Sequence, residues 1–178
     1  MYTLLEKRRS IRQYKSCKVD EDKVDLLIRS ILRSPSGKSI KPWEIIVIDD
    51  AECVHQLAQS KAKGAKFLQG VAQCLVIIAD PDKTDVWIED ASIAMTIGHL
   101  AASDMGLGSC WIQIRNRYTN EGVSSEDFVR SLLDIPVSLK VEGILAFGYP
   151  DEEKEGHSEE TLRWDKVHRN TYSVQNEQ

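Results

Sequence analysis

The sequence lacks most of the signatures that announce a common chemistry. Its four cysteines, Cys17, Cys53, Cys74 and Cys110, are scattered and form no CxxC pair. That excludes the usual zinc and dithiol spacings, so no metal is expected and the thiols read as reduced and structural. There is no GxGxxG, no GxxxxGK[ST] and no HExxH, which removes the Rossmann fingerprint, the phosphate loop of nucleotide hydrolases and the zincin helix. No apolar run approaches the length of a membrane span, and the opening MYTLLEKRRS is too polar for a secretory leader. The expectation is a cytoplasmic protein with no membrane partner. Repeats and Gly/Ser or Pro-rich linkers are missing too, so the 178 residues read as one domain, or as one subunit of an oligomer. Positive charge is in deficit: the net charge of −5 argues against nucleic acid, which needs many cations on one surface.

What is present is an ordinary globular composition, 42% hydrophobic and 29% charged, with a clear order of elements. Residues 20–33 carry Val24, Leu27, Ile28, Ile31 and Leu32 at helical spacing behind an acidic first turn, and the helix stops at Ser34-Pro35. WEIIVI (43–48) reads as a strand, residues 51–60 as a helix, 61–70 as helix or turn, and 71–79 as a strand buried on both faces. Residues 85–105 form the longest helix. After an acidic start it is apolar nearly all round, so it is expected to be enclosed on every side, by its own chain or by a second subunit. His99 lies inside it and reads as a satisfied core histidine rather than a base. Further strands are expected at 109–114 and 139–149, with a short helix at 124–133 between them. The tail carries scattered large residues (Leu162, Trp164, Val167, Tyr172) without a core of their own, as a docking arm would. The pattern is α+β with a small sheet.

Four stretches hold the polar chemistry. RRSIRQYK (8–15), with Lys7, gathers five cations at one end of an acidic chain. If extended, it turns Arg8, Ser10 and Arg12 to one face, a cradle for a phosphate dianion; a solvated basic patch is the alternative. SPSGKSIKPW (34–43) is a loop by composition, either a ligand-binding loop or a plain connector. GLGSCWI (106–112) offers two glycines for close backbone approach, or an ordinary helix cap. AFGYPDEE (146–153) is a strand end with turn residues.

Taken together and in order, these stretches resemble the nitroreductase family of flavin enzymes. RRSIRQYK resembles its N-terminal phosphate signature, SPSGKSIKPW its loop ending in Pro-Trp, DASIAMTIGHLAASDMGLGSCWI its central helix running into Gly-Leu-Gly, and LAFGYPDEE its strand ending in Gly-Tyr-Pro. The resemblance implies a single nitroreductase-like domain over residues 1–178. Its small, mostly antiparallel sheet would be flanked by helices around a long central helix, and its C-terminal arm, from about 156, would be exchanged in a homodimer. It implies FMN at the dimer interface, with the phosphate on Arg8, Arg9, Ser10 and Arg12. The loop Pro35, Ser36, Gly37, Lys38, Ser39 would come from the other subunit, and the backbone of Gly106, Leu107, Gly108 and Ser109 would lie near the ring. Arg163, His168 or Arg169 of the arm would add to the phosphate site. Where many members have Asn and Gln this chain has Ser39 and Lys41, and the lysine would set a positive charge near the flavin. The implied activity is transfer of hydride from NADH or NADPH to a nitroaromatic, quinone or similar small oxidant by a ping-pong route, with no side chain as obligatory acid or base. The alternatives are a flavin-binding protein that does not turn over NAD(P)H and a bare phosphate-metabolite binder.

Overall fold

The computed structural model describes residues 1–172. The last six residues of the expected arm, 173–178, lie outside the described part. The chain runs α1 (Tyr2–Lys7), α2 (Glu21–Leu32), β1 (Trp43–Ile48), α3 (Ala51–Leu57), β2 (Gln73–Ala79), α4 (Trp87–Asp104), β3 (Gly108–Gln113), α5 (Ser125–Leu132) and β4 (Lys140–Gly148). The stretch read as helix or turn holds a 3-10 turn, Lys66–Gly70. The four strands form one sheet in the order β1-β2-β4-β3, every pair antiparallel.

Burial follows the strand alternation. On one face Cys74, Val76 and Ile78 of β2 and Ile144 and Ala146 of β4 pack with Val54 and Leu57 of α3 and Val129 of α5. On the other, Leu75, Ile77, Leu145 and Phe147 meet Leu27 and Ile31 of α2 and Ala91, Ala94 and Met95 of α4. Strands buried on both faces need apolar residues at successive positions, which is why β2 shows no alternation. Each buried Val, Leu, Ile, Met or Phe among them contributes about 1.5–3 kcal/mol of transfer free energy.

α4 is drawn in tightly. A Cβ on Gly98 would stand 2.9 Å from Ile31 Cδ1 and 3.0 Å from Leu145 Cδ2, so only glycine lets the helix sit between α2 and the sheet at this depth. The expected all-round enclosure is not met within one chain. Ile93 is 38% exposed, and Ile97, Leu100 and Ala101 border an open groove with Met1 and Leu4. The tail first lies along its own α1, where His157 N donates to Glu6 O (2.8 Å) and Tyr2 OH bonds Glu159. Beyond that, Trp164 (69%) and Tyr172 (79%) project into solvent.

One irregularity has no counterpart in the sequence pattern. Ile77 pairs with Gly143 and Ile78 with Val141, so Glu142 is the extra residue of a bulge in β4. The bulge buries the Glu142 carboxylate, which accepts from Ser92 Oγ (3.2 Å) and faces Arg115 Nε (3.5 Å). Burial raises its pKa against the pull of Ser92 and Arg115.

Candidate functional site

The cationic N-terminal stretch is extended. α1 ends at Arg8 with φ −61° and ψ 127°, and the chain then runs beside the sheet. Ser10 bridges to Ser109 in parallel, Ile11 N donates to Ser109 O (3.0 Å), and Lys15 N donates to Tyr149 O (2.9 Å). Residues 8–15 are thus zipped between the start of β3 and the exit of β4. Buried Ile11 and Tyr14 are the pegs, and the Tyr14 hydroxyl donates to Ile11 O (2.5 Å). Gly108 is where Ile11 fits: a Cβ there would meet Ile11 Cγ2 at 2.8 Å.

This strip gathers cations around Ser10. Arg8 Nη1 donates to His99 Nε2 of α4 (2.8 Å), and Arg12 Nη1 folds back toward Ser10 O (3.5 Å). Lys154 Nζ donates to the same carbonyl (2.8 Å). Arg9 turns away to the Glu155 carbonyl. The carboxylate of Glu152 accepts from the Arg12 backbone N–H (2.5 Å) and lies 3.1 Å from Lys154. Its pKa is lowered, first by that backbone bond. Lys154 belongs to the cluster and escaped the sequence reading, because a single lysine inside DEEKEGH looks like solvated surface.

His99 ties the cluster to β3. Since Arg8 can only donate, Nε2 must accept, which puts the proton on Nδ1; that nitrogen bonds the buried Ser109 Oγ. Ser109 Oγ in turn donates toward the His99 carbonyl (3.4 Å). Burial, then the Arg8 charge, lowers the His99 pKa to about 4, so the ring is neutral at physiological pH. The sequence reading of His99 as a satisfied histidine stands, with Arg8 of the cationic strip and Ser109 of β3 as its partners.

β3 is an edge strand. Ser109 turns its backbone outward to Ile11, whereas Ile114 N bonds inward to Glu142 O (3.4 Å). By alternation, Trp111 and Gln113 present their N–H groups along the same outer edge, where no strand among the described residues covers them. Of the other glycine-stretch residues, Gly106 closes α4 at φ +74° and Leu107 is buried in the core.

The second polar loop sits elsewhere. Gly37 N donates to Asp90 Oδ1 (2.8 Å) in the first turn of α4, and Asp90 is 3% exposed with its other oxygen unpartnered. Lys38, Ser39 and Lys41 all have left-handed backbones, φ 52°, 58° and 51°. Three such non-glycine residues in a row of four mark stored strain. Pro35, Lys38 and Ser39 are exposed; Ser36 Oγ accepts from Lys41 N (2.9 Å). The Lys41 ammonium caps α2 by donating to Leu32 O (3.2 Å), so within this chain its charge is directed to the helix end. Asp90 and His99 are nine residues apart, about 13 Å along the helix axis. The loop and the cationic cluster therefore lie at opposite ends of α4. Arg163 forms a two-point ion pair with Asp165 (2.8 and 2.5 Å), and the His168 ring stands 4.6 Å from that of Tyr172.

The nitroreductase family model matches residues 5–73 and 53–149. The chain belongs to the nitroreductase family. A solved FMN-dependent nitroreductase of Clostridium difficile R20291 is 44% identical, superposes with a TM-score of 0.94, and is matched over 97% of this chain and 100% of its own. An Archaeoglobus fulgidus protein provisionally named NADH dehydrogenase/NAD(P)H nitroreductase is 29% identical over 167 residues, 91% of this chain and 92% of that one. The iodotyrosine deiodinase of Thermotoga neapolitana is 24% identical over 169 residues, 86% of this chain and 90% of that one. The α+β architecture, with its small antiparallel sheet and long central helix, is the nitroreductase fold.

Proposed function

We propose that this nitroreductase-family chain is an FMN-dependent oxidoreductase that uses NADH or NADPH to reduce a small organic oxidant, a nitroaromatic or quinone, in ping-pong order. The observation that carries this is the cluster of Arg8, Arg12 and Lys154 about Ser10. It is a cationic, donor-rich site on an acidic chain, and among the described residues its foremost guanidinium has no carboxylate partner. Those donors fit a phosphate monoester. The separation of loop and cluster along α4 supports a homodimer, in which residues 35–39 of one copy meet the cluster of the other. The open apolar face of α4 and the projecting tail residues support the same arrangement. Arg9, the backbone of residues 106–109, and the basic residues of the arm are the further contacts to be tested.

Bound FMN would supply the two-electron chemistry, taking hydride from the nicotinamide and returning it to the oxidant. The task of the chain is to hold and orient. Arg8, Ser10, Arg12 and Lys154 fix the phosphate end, and the outward amides of Trp111 and Gln113 offer fixed donors further along β3. The loop pinned by Asp90 forms a wall for the partner copy's site. No side chain is assigned the role of general acid or base.

The purified protein should be yellow, with an FMN spectrum, and should bleach on anaerobic mixing with NADH or NADPH. Bleaching followed by reoxidation with a quinone, with parallel double-reciprocal plots, is the expected result. Colour without bleaching by either reductant would instead identify a flavin-binding protein without NAD(P)H turnover. A colourless protein that takes up no FMN would reject both.

A further inference from the structure

The partner of an arginine decides how much of its charge remains for a ligand. Three other guanidiniums in this chain are held by carboxylates, Arg115 by Glu142, Arg130 by Glu126 and Asp127, and Arg163 by Asp165, while Arg9, Arg12, Arg33 and Arg117 donate to backbone carbonyls. Arg8 alone is held by an imidazole, at 2.8 Å, and among the described residues it has no acidic partner. A carboxylate would aim the fork but cancel its charge. A neutral ring aims it and leaves the charge intact. The ring is itself oriented at its far side by the Ser109 hydroxyl, which is buried at the start of β3, beside the Ser10 bridge.

We propose that His99 is a positioning residue which aims the Arg8 guanidinium at the anion site without neutralising it. This rests on the reading of that cluster as the FMN phosphate site. The chain of contacts runs from the Ser109 hydroxyl through both imidazole nitrogens to Arg8, so the rigid sheet sets the direction of an otherwise flexible side chain. His99 does not touch the ligand, and its effect is confined to the phosphate end. It therefore distinguishes FMN from riboflavin, which has the same ring and ribityl chain but no phosphate.

The test measures dissociation constants for FMN and riboflavin by ultrafiltration of the flavin-loaded protein. In His99→Leu the FMN constant is expected to rise about tenfold with riboflavin unchanged, the loss of one charge-assisted contact. His99→Gln, which keeps a neutral acceptor, should recover most of the difference. His99→Glu, which holds the guanidinium but cancels its charge, should lose FMN as Arg8→Ala does. Adding His99→Leu to Arg8→Ala should cause no further loss, because the two act as a unit. An unchanged FMN-to-riboflavin ratio in His99→Leu, equal loss of both flavins, or full FMN affinity in His99→Glu overturns the proposal while leaving the phosphate site standing. An unchanged ratio in Arg8→Ala overturns the phosphate site and the proposal with it.

Discussion

Arg12 and Lys154 converge on the Ser10 carbonyl while Arg8 is held by His99, so the three cations are not equivalent. Arg8 is the most anchored, Arg12 is exposed and bends toward Ser10 O at 3.5 Å, and Lys154 shares its charge with Glu152. Each Arg8→Ala, Arg12→Ala or Lys154→Ala change is expected to weaken FMN by about 1.5–3 kcal/mol, with Arg8 the largest. Flavin retention after dilution and ultrafiltration checks the order. His99 adds a pH dependence. Its pKa falls from 6.5 to about 4 on folding, so the unfolded chain binds the extra proton between those values. The stability tied to His99 is full above pH 6.5 and declines as the pH falls toward about 4. Imidazole NMR shifts should show one histidine titrating near pH 4, and that signal should vanish in His99→Gln. At this scale the sequence was partly legible. Local spacing marked Arg8, Ser10 and Arg12, since they lie two apart in an extended segment. It could not mark Lys154 or the role of His99, whose contacts with Ser10 and Arg8 span 144 and 91 residues of chain.

Elements with strong local patterns were legible almost to the residue. β1 occupies WEIIVI as read, and α2 begins after Asp20 and ends at Leu32, where composition placed its limits. The bulge at Glu142 was not legible, because it depends on register with β2 rather than on any pattern within LKVEGILAFG. Nor was the strain of the loop after α2, since Lys38, Ser39 and Lys41 are not residues that favour a left-handed backbone. Ser39→Gly is expected to stabilise the fold by about 0.5–1 kcal/mol, read as a rise in Tm, because it removes a steric penalty of φ 58°. In α4, Gly98→Ala should cost about 1–3 kcal/mol by driving the helix off Ile31 and Leu145, measured by denaturant unfolding.

For the whole molecule, the proposed homodimer rests on the open face of α4 and the projecting Trp164 and Tyr172. Sedimentation should find a homodimer, and deletion from residue 163 onward should shift it toward monomer and lower its flavin content together. A monomeric full-length protein with full flavin content would contradict the two-copy site. The sheet order has one more consequence. The strip at residues 8–15 seals the outer edge of β3 and the exit of β4, while Lys154 returns to Ser10 from the far end of the chain. The cationic cluster is therefore a closure between residues 144 positions apart, with loop closure deferred until both have formed. On a ribosome, the emerging protein would have its core helices and all four strands before Lys154 could complete the anion cluster.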